Sequence, residues 1–144
     1  MKRLPRLAGL ALLSTLLVSS PAMASNAPIR ISFDKSIVDP AGVWEGTVSG
    51  AVDGDLTTHL LTAPDETGQI WHVSFDWVVV ADDPDYSFVA LTEGTLNLNT
   101  GHVVMNGTVD SGWMAGARVH EEGQLIDGET FRFQGEITIL PPTR

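Results

Sequence analysis

Glu121 is the side chain with the clearest capacity for chemistry. Counting a strand period of two back from Gly123 places Ala117, Val119, Glu121, Gly123 and Leu125 on one face. That face is otherwise apolar, and Glu121 is expected to be the one charged residue among the inward positions of the well-patterned strands. A carboxylate desolvated in such a place has its pKa raised and is suited to general acid–base work. A β-bulge at the Glu121-Glu122 pair, or a solvated barrel mouth, would instead return it to water.

The other polar groups point to less. His59, His72, His102 and His120 are spread one per strand, with no H-x-H or H-E-x-x-H spacing to hold a metal. Asp53-Gly54-Asp55 and Asp82-Asp83-Pro84-Asp85 carry many oxygens, but neither has the twelve-residue calcium loop and its closing Glu, and both fit tight turns. Gly46-Thr47-Val48-Ser49-Gly50 is not a nucleophile elbow, and it falls inside a strand. Asn106-Gly107-Thr108 has the form of a glycosylation sequon inside a strand. With no cysteine in the chain, thiolate metal sites, disulfides and cysteine nucleophiles are excluded. No metal and no cofactor is expected.

Aromatic residues form the remaining candidate. Trp44, Trp71, Phe75, Trp77, Tyr86 and Phe88 fall on apolar faces in the first half of the chain. They either fill the core by packing or line an incompletely filled lumen as a lipophilic ligand site. The sequence leaves both open.

The elements that must position these groups are strands. Trp71, Val73, Phe75, Trp77 and Val79 alternate with His72, Ser74 and Asp76, and Phe131, Phe133, Gly135, Ile137 and Ile139 alternate with Arg132, Gln134, Glu136 and Thr138. Turn residues punctuate the runs and predict about eight strands, near 28–38, 42–52, 55–63, 69–80, 85–99, 102–111, 116–126 and 129–140. A polar-Gly-polar-aliphatic unit recurs at Glu45-Gly46, Glu93-Gly94, Asn106-Gly107, Glu122-Gly123 and Gln134-Gly135. Glycine weakens a strand interior, so its recurrence calls for strands that bend sharply. The expected fold is all-β: an antiparallel, eight-stranded closed barrel in meander order, with a β-sandwich as the alternative.

The 144 residues allow one domain. Lys2, Arg3 and Arg6 precede the apolar run Leu7–Val18 and then Ala22-Met23-Ala24, which reads as a signal peptide over 1–24 followed by a single barrel domain over 25–144. The run is too short for a span of about 20 residues, so no membrane anchor is expected after cleavage. The expected location is exported, periplasmic or extracellular. Removing the leader takes three of eight basic side chains and no acidic ones, leaving five against 18 and a net charge of −13. Such a chain repels phosphates, and nucleic acid is excluded as a partner.

Gly112-Trp113-Met114-Ala115-Gly116-Ala117-Arg118 resembles the G-x-F-x-G-A-x-G segment of the allene oxide cyclase and dirigent barrels. Met114 stands where that family has its aromatic, and Val119 where it has the closing glycine. The resemblance implies a calycin-like eight-stranded barrel, often trimeric, with an apolar interior; one branch isomerises an unsaturated fatty-acid epoxide and the other steers radical coupling. No catalytic residue is carried over from it.

The expected function is an exported, non-catalytic barrel that binds a small apolar ligand in its lumen. The alternatives are a self-associating interaction module, for which outward Thr47, Ser49, Thr95 and Thr108 would suit homo-oligomer packing, and a cavity enzyme of the isomerase or cyclase type with Glu121 as its acid–base group.

Overall fold

The computed structural model describes residues 27–62 and 67–143. The leader expected over 1–24 lies outside them. Eight antiparallel strands follow in chain order: β1 (Ile29–Asp39), β2 (Val43–Gly50), β3 (Gly54–Leu60), β4 (Ile70–Ala81), β5 (Phe88–Asn97), β6 (His102–Gly112), β7 (Arg118–Asp127) and β8 (Arg132–Leu140). Each pairs with the next, and β1 pairs with β8 from Ile29↔Ile139 to Lys35↔Phe133, which closes the barrel. That last ladder overturns the sandwich alternative: a sandwich would leave edges here, and closure removes them. The closing seam is also tied on its outer surface. Asp34 accepts from Arg132 Nε and Nη2 at 2.9 and 2.6 Å and from Gln134 Nε2 at 2.7 Å, while Arg30 pairs with Glu136 at 2.8 Å.

The recurring glycines do face inward, and they bring strands together. A Cβ on Gly46 would fall into the Asp34 carbonyl oxygen and lie 2.7 Å from Lys35 Cα. One on Gly135 would fall into the Glu122 carbonyl and lie 2.6 Å from Gly123 Cα. Any side chain there would push β1 from β2, or β7 from β8, so glycine sets the tight coiling that a small barrel needs.

Strand connections alternate between the two ends of the barrel. One end carries the β2–β3, β4–β5 and β6–β7 connections and is solidly filled by Ile31, Leu56, Trp77, Val79, Val109, Ile137 and Ile139, all essentially inaccessible. Outside this packing lies the Gly112–Ala117 turn, whose Trp113 stacks edge-on to Tyr86 at 5.2 Å. Its tight course needs three positive-φ residues: Gly112, Met114 and Gly116. Tyr86, expected on a strand face, sits instead in a 3₁₀ turn (Pro84–Tyr86) and is 42% exposed. Pro84 and the Asp83 side chain, which accepts from Asp85 N, start a turn where alternation alone predicted strand.

Candidate functional site

The opposite half of the lumen is hollow. A cavity of about 540 Å³ opens between the β1–β2, β3–β4, β5–β6 and β7–β8 connections. Its wall is mostly apolar, built from Trp44, Leu60, Trp71, Val73, Phe75, Leu96, Val103, Phe131 and others. Its size falls in the range of about 300–1,000 Å³ typical of small-molecule sites. Strand alternation explains the wall, because every second residue of each strand must point inward. At the rim, Trp44 donates its indole N–H to the Phe131 carbonyl at 3.1 Å and meets Phe75 edge-to-face at 5.3 Å. Phe131 holds a left-handed backbone (φ 45°) in the β7–β8 turn, which places its ring and carbonyl at this mouth.

The floor carries charge. Lys35 on β1 and Glu121 on β7 both line the cavity, are 5% and 1% exposed, and face each other with Nζ 3.6 Å from Oε1. The Lys35 ammonium also lies over three rings, 4.4 Å from the Trp77 centroid, 5.3 Å from Phe33 and 5.4 Å from Phe75. A desolvated cation–π contact of this kind contributes about 2 kcal/mol, which offsets part of the cost of burying the ammonium. Burial pushes the Glu121 carboxyl upward and the Lys35 amine downward from their ordinary values, and each partner's charge pulls the other back.

Buried polar atoms along the lumen are incompletely matched. Among the described residues, Glu121 Oε2, Thr58 Oγ1, Trp71 Nε1 and Trp77 Nε1 close no hydrogen bond of ordinary length, although the Trp77 indole lies near enough to Glu121 to favour its ionised form. Thr58 opposes both Trp44 and Trp77 in the β-ladders. Buried polar groups are usually paired, because each one left alone costs about 1–3 kcal/mol.

The sequence-predicted residues divide by position. Glu121 points inward as alternation requires; the β6–β7 and β7–β8 registers run unbroken through Glu121 and Glu122, so the bulge alternative does not occur there. Trp44, Trp71 and Phe75 line the cavity, and Trp77 lies beneath the charged floor. Phe88 and Tyr86 are at the filled end, away from the cavity. Glu121 is not the lone inward charge, which corrects the expectation from sequence. Lys35 was missed, although the run Ile31, Phe33, Lys35, Ile37 puts it on the inner face by the same period of two. A lysine surrounded by that alternation was the available signal.

Two of the four histidines have surface partners: His59 Nδ1 meets Asp76 Oδ1 at 2.7 Å, and His120 bridges Asn106 and Glu122. Among the described residues, no three His, Asp or Glu side chains converge as a metal set. No protein-family model matches this chain, and no curated protein matches it.

Proposed function

We propose that this protein is an exported, non-catalytic binder that holds a small, largely apolar ligand in the open half of its lumen. The observation carrying this reading is the 540 Å³ hollow with aromatic and aliphatic walls, open at one end above a densely packed opposite half. Burial of an apolar ligand there would be driven by roughly 25 cal/mol per Å² of surface removed from water. Export is supported by the basic, apolar and small-x-small order of residues 1–24.

Native mass spectrometry of the protein purified gently from its own host tests the reading directly, since a discrete extra mass is expected. Titration with N-phenyl-1-naphthylamine supplies a second test. Val103→Trp projects bulk into the cavity and should abolish dye binding while leaving the thermal midpoint near that of the parent. A bare polypeptide mass together with undiminished dye binding by Val103→Trp would overturn the lumen site.

The buried carboxylate at the cavity floor favours a second reading, an isomerase or cyclase of the kind implied by the allene oxide cyclase resemblance, with Glu121 as acid–base group. Under it, Glu121→Gln loses turnover of the bound compound and keeps its binding. Unchanged turnover would dismiss it.

A further inference from the structure

We infer that the floor of the lumen is a covalent capture site, at which Lys35 forms a reversible imine with an apolar aldehyde and Glu121 serves as proton relay and counter-ion. The inference rests on the lumen-binding reading and names its ligand class.

A structural ion pair would be expected to close its hydrogen bonds. This one does not. Nζ and Oε1 stand 3.6 Å apart, beyond ordinary hydrogen-bond distance, and among the described residues Oε2 closes no hydrogen bond of ordinary length. Buried pairs of this sort are often no more stable than apolar side chains of the same volume, so stability alone gives little reason for one here. Both groups line the hollow. The amine therefore meets whatever enters it, in surroundings that select apolar molecules.

An amine beside a carboxylate in a dry, apolar pocket is an arrangement suited to attack on a carbonyl carbon. Glu121 takes one proton from the Lys35 ammonium. The Nζ lone pair then forms a C–N bond to the aldehyde carbon, and the carbonyl oxygen becomes the hydroxyl of a carbinolamine, its proton coming from the same nitrogen. Glu121 returns its proton to that hydroxyl, which leaves as water while the C=N bond forms. The product is a protonated imine facing the Glu121 carboxylate, with no oxidant or reductant consumed. The Trp77, Phe33 and Phe75 rings that face the ammonium would face the iminium nitrogen in the same way. An aldehyde fits better than a ketone, because its reacting carbon carries one substituent and can reach a side chain that is only 5% exposed.

The test uses the exported protein, trans-cinnamaldehyde and sodium cyanoborohydride, read by intact mass and peptide mapping. The sequence has two lysines, Lys2 and Lys35, and removal of the leader over 1–24 leaves Lys35 as the remaining one. Reductive trapping at Lys35 is expected to be roughly tenfold faster in the folded protein than in urea. Lys35→Arg, which keeps the charge facing Glu121, should lose the adduct, and Glu121→Gln should slow its formation. Cinnamyl alcohol, which has the same skeleton and no carbonyl, is titrated in parallel by quenching of tryptophan fluorescence. If the alcohol binds but Lys35 is trapped no faster in the folded protein than in urea, covalent capture is overturned and the binding reading survives. If neither compound enters the lumen, both fall.

Discussion

Removing one member of the Lys35–Glu121 pair should destabilise the barrel far more than removing both. At 3.6 Å and an effective dielectric of about 20, the mutual attraction is about 4–5 kcal/mol. Either Glu121→Gln or Lys35→Met leaves a buried charge uncompensated, for an expected cost of about 3–5 kcal/mol. The double variant Lys35→Met/Glu121→Leu should match the parent or exceed it by about 1–4 kcal/mol, because two desolvation penalties vanish together. The two single variants should also respond to pH in opposite directions. In Glu121→Gln the Lys35 amine, already lowered from 10.5 by burial, loses the carboxylate that held it up. Between its folded value and 10.5 the unfolded chain binds more protons, so this variant gains stability as pH rises. In Lys35→Met the Glu121 carboxyl stays above its ordinary 4.5. Between 4.5 and that higher value the folded chain binds more protons, so this variant is most stable in acid and weakens as pH rises. Urea midpoints of the parent and three variants, measured from pH 5 to 9, form the assay. Single variants within about 1 kcal/mol of the parent, or two pH profiles of the same slope, would refute the reasoning.

Other perturbations address the frame around the site. Gly46→Ala should cost about 1–3 kcal/mol or prevent folding, because its methyl meets the backbone of β1, whereas Gly128→Ala finds open space and should be neutral or slightly stabilising; urea midpoints separate the two. The Arg132 guanidinium holds the Asp34 carboxyl down at about 2, so the stability it contributes is complete above its ordinary value of 3.8 and disappears as pH falls toward about 2. Asp34→Asn should therefore cost about 1 kcal/mol or less at pH 7, since the pair is partly exposed, and its difference from the parent should shrink in acid, as followed by thermal melts between pH 2 and 7.

Much of this architecture was legible in the residues themselves. A period of two over eight runs, turn residues between them and the five spaced glycines together imply a coiled antiparallel sheet, because alternation and strand bending are local properties of the backbone. The same period sends Glu121 inward, and read along Ile31-Ser32-Phe33-Asp34-Lys35 it sends Lys35 inward as well. Alternation assigns a face, but it cannot assign a neighbour across the lumen. Strands β1 and β7 are not adjacent in the sheet; β8 lies between them, and their side chains meet only because closure curves the sheet until its inner faces oppose. Nor can composition decide where a barrel is solid. Ile, Val and Trp line both halves, and one half is packed while the other is hollow. That difference follows from how side-chain volumes add up across eight strands at each level of the barrel, a sum fixed by register and shear rather than by any one strand. Sequence determined the sheet and the faces of its residues; the tertiary structure decided which inward groups touch and where space remains between them.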